Sequence, residues 1–141
     1  MALLEQQLGR QVLAEFSFCD QAAINDGELL ERLLQEAASR SGATLLSVHV
    51  HRFQPHGLSG VAILAESHLA VHTWPELGYA AIDAFTCGGH VDPKVAVSSL
   101  EEGFGAKSVT TMEVIRGMNP AVAMLARAEA ISRQIEANRA P

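Results

Sequence analysis

At 141 residues, 48% of them hydrophobic, the chain has room for one domain over residues 1–141 with a real core. Its net charge of −6 supplies no basic stripe for phosphates, which argues against nucleic acid. No apolar run approaches the roughly 20 residues of a membrane helix. Met1 to Gln7 is no secretory signal, and Cys19 and Cys87 lack paired spacing, so a reducing cytoplasm is the expected setting.

In chain order, Gly9 to Phe18 predicts a first strand, ended by Cys19-Asp20. Asn25-Asp26-Gly27 offers caps for a helix over about 28–40, with Leu29, Leu30, Leu33, Leu34, Ala37 and Ala38 as its apolar stripe. Thr44 to Phe53 predicts a second strand with Leu46, Val48 and Val50 on one face, and Gln54-Pro55-His56-Gly57 a loop. Two apolar runs, Val61–Ala65 and Leu69–Val71, flank Glu66-Ser67, which predicts antiparallel strands joined by a tight turn across that pair. A strand over Tyr79–Cys87 follows the Pro75-Glu76-Leu77-Gly78 turn. Asp92-Pro93 starts a short helix to about Phe104, and Lys107–Arg116 is the last strand. Asn119-Pro120 starts a final helix with Ala121, Met124, Ala128, Ile131 and Ile135 at spacings of three and four. The order predicts an α+β fold, an antiparallel sheet with helices on one face. Both faces of Tyr79–Cys87 are largely apolar, so the uncovered face is expected to meet a second copy of the chain. The alternative is that the last helix wraps round to cover it.

Ser67 is the first candidate for chemistry. As an ordinary turn serine it would need no explanation. A strained turn would instead let its hydroxyl attack the Glu66 carbonyl, turning amide into ester. Elimination and hydrolysis would then leave a pyruvoyl group at position 67. His72 is the candidate base for the Ser67 α-proton. In one regular strand positions 67 and 72 face opposite ways, so the turn would have to break the alternation. Cys87, at the end of its strand before Gly88-Gly89, is the candidate acid, against the plain alternative of a core cysteine. Asp83, on the same strand face, is either a satisfied carboxylate or part of the site. Phe53 and Trp74 could stack a planar base and Glu76 could hold two ribose hydroxyls; core packing and a solvated turn are the alternatives. His49 with His51, and His68 with His72, share strand faces, and His56 and His90 lie in loops. Those spacings match no zinc pattern, so no metal is expected.

Together these residues resemble the small prokaryotic class of S-adenosylmethionine decarboxylase, a self-cleaving pyruvoyl enzyme. The resemblance runs from Leu8-Gly9-Arg10 to Arg116-Gly117. It is most specific at Glu66-Ser67-His68-Leu69, His72-Thr73-Trp74-Pro75-Glu76, Gly78–Asp83 and Phe85-Thr86-Cys87-Gly88. It implies cleavage between Glu66 and Ser67 into residues 1–66 and 67–141, with Ser67 the pyruvoyl precursor and the only cofactor made in place. It further implies His72 as the processing base, Ser59 as its helper and Cys87 as proton donor. Phe53 would stack on adenine, and Glu76 would hold the ribose. It implies a homodimer with sheets face to face, giving four α/β/β/α layers. The implied role is decarboxylation of S-adenosylmethionine for polyamine (spermidine) biosynthesis, by way of a Schiff base between the substrate amine and the pyruvoyl ketone. Two departures stand out: Gly9-Arg10-Gln11 replaces the usual Gly-Arg/Lys-His, and a helix follows the last strand. Arginine or ornithine decarboxylation on the same chemistry is the alternative within the class. A non-catalytic partner subunit is the alternative outside it.

Overall fold

In β1 (Gly9–Ser17), Val12, Ala14 and Phe16 are buried while Leu13 and Glu15 are exposed, the alternation of a strand covered on one side. The computed structural model describes residues 8–118 and 120–139. The strand stops one residue short of expectation because Phe18 turns into the left-handed region at φ 54°. Helix α1 (Gly27–Ser41) is capped by the Asp26 carboxylate, which accepts from Leu29 N–H at 3.0 Å, and ends at Gly42 with φ 85°. Its stripe of Leu30, Leu33, Leu34, Ala37 and Ala38 is buried. In β2 (Leu45–Arg52) the pairing is irregular between Leu45 and Ser47. Leu46, expected beside Val48 and Val50, therefore lies exposed while those two pack against the core.

Strands β3 (Leu58–Leu64) and β4 (Ser67–Trp74) are longer than the apolar runs that announced them. The turn between them is Ala65-Glu66, not Glu66-Ser67: Ser67 already pairs with Leu64 as the first residue of β4. Strand β5 (Tyr79–Thr86) ends one residue early, which places Cys87 just beyond it. Helix α2 (Pro93–Phe104) starts from the Asp92 cap with Pro at its first position, and β6 (Ser108–Arg116) follows. Helix α3 (Pro120–Arg139) closes the described chain; Asn119, expected to start it, lies outside the described residues.

The six strands form one antiparallel sheet in the order β2-β3-β4-β5-β1-β6. Helices α1 and α2 pack together on one face, over Phe16, Leu58, Ala62, Leu69, Val71, Ile82 and Ala84. Gly60 is needed there, since an added Cβ would lie 2.8 Å from Leu30 Cδ2. Register places the other face in rows. One runs His51, Ser59, His72, Ala81, Glu15, Thr110; the next His49, Val61, Ala70, Asp83, Leu13, Met112; a third Ile63, His68, Phe85, Gln11, Val114. Leu13, Ile63 and Met112 are exposed on it. Among the described residues, helix α3 does not show the cover that was its alternative role: Met124, Leu125, Ile131 and Ile135 are themselves exposed. Among the described residues no helix is long and apolar enough to cross a membrane.

Candidate active site

The junction between Glu66 and Ser67 is held on both sides. Glu66 is buried at the hairpin tip, where the Thr44 N–H donates to both its carboxylate oxygens at 3.2 and 3.0 Å. His90 Nε2 lies 3.1 Å from the first of them. The Thr44 N–H, aided by His90, draws the Glu66 carboxyl down to about 2 against the opposing effect of burial. The Glu66 carbonyl accepts the Cys87 N–H at 2.8 Å. Across the bond, Ser67 sits at φ 136°, a conformation L residues rarely adopt. Its register partners Leu64 and Thr86 are buried on the helix side. The distorted backbone nevertheless brings the Ser67 hydroxyl within 3.3 Å of His68 Nδ1, a ring on the open face.

Further groups follow from that histidine. His68 Nε2 lies 3.5 Å from Asp83 Oδ2, and Gln11 Nε2 donates to Asp83 Oδ1 at 2.9 Å. Arg116 donates to Gln11 Oε1 at 2.6 Å and stacks over Phe85, whose edge meets the His68 ring. Asp83 is thus a satisfied, half-buried carboxylate and also a neighbour of Ser67's partner. Gln11, the departure at the start of the chain, is what holds it. The Cys87 thiol is exposed, beside the junction and not in the core.

The remaining expected residues gather elsewhere. Ser59 Oγ and His72 Nδ1 are 2.7 Å apart, on neighbouring strands of the open face. With Phe53, Trp74 and Glu76 they line a cavity of about 430 Å³. Phe53 and Trp74 are half-exposed at its mouth, not core residues, and Trp74 leans on Tyr79 at 5.3 Å. Glu76 is not a free turn carboxylate: it pairs with His56 Nε2 at 2.8 Å. Neither Ser67 nor Cys87 lines this cavity. His72 is five residues on from Ser67, about 17 Å along β4. The turn does not bring the two together within one chain. Among the described residues no three His, Cys, Asp or Glu side chains cluster as a metal site.

Sequence reasoning missed His68, Gln11 and Arg116 as members of the serine's surroundings, and His90 and Thr44 as anchors of Glu66. Register supplies the signal for the first group, because 68, 85 and 11 are neighbours across three strands. The Glu66 anchor carries an expected result. The unfolded chain takes up a proton near the ordinary value of 4.5, before the native carboxyl does near about 2. Glu66 therefore contributes its full stability above about pH 4.5 and loses it as pH falls toward about 2. In a Ser67→Ala background, which keeps the chain whole, Glu66→Gln should flatten the acid limb of stability measured by urea unfolding. Equal acid limbs would show that Glu66 is not linked to folding.

Comparison with known proteins identifies the family. The profile of the S-adenosylmethionine decarboxylase family matches residues 10–117. The S-adenosylmethionine decarboxylase proenzyme of Clostridium tetani is 50% identical over 111 residues, covering 79% of this chain and 88% of that protein. The proenzyme of Acetivibrio thermocellus is 51% identical over 111 residues, covering 79% and 90%. The crystal structure of the adenosylmethionine decarboxylase from Aquifex aeolicus superposes with a TM-score of 0.74 at 35% identity, covering 79% of this chain and 92% of that one. From Arg10 onward the strands, the two packed helices and the Glu66-Ser67 junction lie within the matched span, and the chain belongs to the S-adenosylmethionine decarboxylase family.

Proposed function

We propose that the chain is a self-cleaving, pyruvoyl-dependent S-adenosylmethionine decarboxylase, cut between Glu66 and Ser67 into residues 1–66 and 67–141. The observation that carries this is the junction itself. The Glu66 side chain is anchored, its carbonyl faces an N–H donor at 2.8 Å, and Ser67 is strained at φ 136°. Attack by the Ser67 hydroxyl on that carbonyl moves negative charge onto the oxygen that the Cys87 N–H already faces. It also relieves the strained peptide. These residues fit the formation of a pyruvoyl group at position 67.

His72 takes the Ser67 α-proton, with Ser59 holding its ring at 2.7 Å. The roughly 17 Å between the two positions means that this histidine comes from a second copy of the chain. The open face suits such a homodimer. Its rows mix Leu13, Ile63, Ala70, Ala81, Phe85 and Met112 with both halves of the site, and sheet against sheet gives α/β/β/α layers.

Once formed, the pyruvoyl group supplies a ketone that binds the substrate amine and withdraws electrons from its α-carbon. The protein's part is to place the substrate and return a proton. Phe53 and Trp74 offer the adenine a platform, Glu76 exchanges His56 for the ribose hydroxyls, and the exposed Cys87 thiol delivers the proton. The free cysteines Cys19 and Cys87 suit a cytoplasmic setting, and the product would serve polyamine synthesis.

Carbon dioxide release measured side by side on S-adenosylmethionine, arginine and ornithine tests the substrate. Fastest release from S-adenosylmethionine is expected, and faster release from either amino acid would overturn that choice. Glu76→Gln should raise KM for S-adenosylmethionine roughly tenfold, one hydrogen-bonded charge's worth, while self-cleavage survives. An unchanged KM would remove Glu76 from the ribose.

A further inference from the structure

The geometry points to His68, oriented by Asp83, as the base that activates the Ser67 hydroxyl for the first step of self-cleavage. The inference rests on the self-cleaving reading and assigns a step distinct from that of His72. His68 Nδ1 is 3.3 Å from the Ser67 hydroxyl, whereas His72 lies at the far end of β4 and is paired with Ser59. Accepting at Nδ1 requires the tautomer with its proton on Nε2, and Nε2 is the atom that faces Asp83 Oδ2 at 3.5 Å. Asp83 is fixed in turn, because Gln11 occupies its other oxygen and Arg116 holds Gln11. The order serine, imidazole, carboxylate is that of an activated nucleophile, assembled here from adjacent residues of β4 and a neighbouring residue of β5.

The proton balance closes on His68 alone. The Ser67 hydroxyl proton passes to Nδ1 as its oxygen bonds to the Glu66 carbonyl carbon. The carbonyl oxygen takes the electron pair and is met by the Cys87 N–H at 2.8 Å. As the carbon–nitrogen bond breaks, His68 returns the proton to the Ser67 nitrogen, which leaves as a free amine. The product is the Glu66–Ser67 ester, with no atom gained or lost. Abstraction of the α-proton, which releases the Glu66 carboxylate, is then a separate event with a separate base.

Hydroxylamine distinguishes the two steps, since it cuts an ester at this position and leaves the amide whole. Newly made chains are followed by intact mass, with and without hydroxylamine. His68→Gln should remain whole and hydroxylamine-resistant, with ester formation slowed on the order of a hundred-fold or more. His72→Ala should stall later, as whole chain that hydroxylamine cuts between Glu66 and Ser67. Asp83→Asn should slow ester formation about tenfold and preserve the fold by circular dichroism. A folded His68→Gln protein that is cut, or becomes hydroxylamine-labile, at the wild-type rate overturns the assignment. If that variant does not fold, a wild-type rate in Asp83→Asn overturns it instead. Wild-type protein that stays a single active chain would sink the self-cleaving reading itself, and the His68 assignment with it.

Discussion

Ser67→Ala is expected to abolish both self-cleavage and decarboxylation. Wild-type protein should separate on denaturation into residues 1–66 and 67–141, the second blocked at its amino end by the pyruvoyl group. The variant should run as one chain of 141 residues. The loss is total because one hydroxyl has two consequences. In the proposed reaction it is the nucleophile for the bond that must break, and its residue becomes the ketone on which all later chemistry depends. Alanine fits the space of a half-buried serine, so the fold should persist. Strain at φ 136° remains in the variant, since an L residue still occupies that backbone. Intact mass with a decarboxylation assay on the same sample checks both effects. Cleavage in Ser67→Ala would place the chemistry on another residue, and full activity of an uncut wild type would remove the pyruvoyl group from the account.

How far the sequence reaches differs between the fold and the site. Binary alternation in Val12–Phe16, Leu69–Thr73 and Ala80–Ala84 is enough to find strands covered on one face, and the Asp26 and Asp92 caps fix two helix starts. Boundaries were harder where hydrogen bonding, not hydrophobicity, extends an element. Leu58 begins β3 because its N–H donates to Thr73 Oγ1 at 2.9 Å, a link between residues 15 apart. The turn falls at Ala65-Glu66, one residue before the expected pair, because Ser67, a turn-type residue, has a strand partner on each side.

For the site, residue types and local order picked out Ser67, Cys87, His72, Phe53, Trp74 and Glu76, and the family resemblance added Ser59, but neither gave their grouping. Adjacent numbers suggested one cluster around positions 66–76. Extended backbone spreads that segment along the length of β4 instead, at about 3.3 Å per residue. What joins distant numbers is sheet register, which puts Gln11, Phe85 and His68 in one row and Ser59 against His72 in another. The Glu66 anchor depends on Thr44 and on His90, neither of which any local pattern announces.

That separation sets the yield expected when two inert variants complement each other. Ser67 and Cys87 lie near one end of the β4–β5 pair and His72 with its cavity near the other, so on the proposed roles neither half completes a site within one chain. In the proposed sheet-to-sheet dimer, a twofold axis would bring the serine end of one copy against the histidine end of the other. Ser67→Ala and His72→Ala should each be inert alone. Co-expressed with separable tags, they form mixed dimers in which one site has both mutations and the other has neither. Random mixing makes half the dimers mixed, so about half of the His72→Ala chains should be cut and activity should return to about a quarter of wild type. The Ser67→Ala chain should stay whole in every dimer, since it has no hydroxyl to attack with. Mass spectrometry of the tagged chains reads both numbers. If the His72→Ala chain in purified mixed dimers stays uncut, His72 does not act across the interface. If the protein sediments as a monomer and still cleaves, the open face has another purpose and the base for the Ser67 α-proton lies within reach on the same chain.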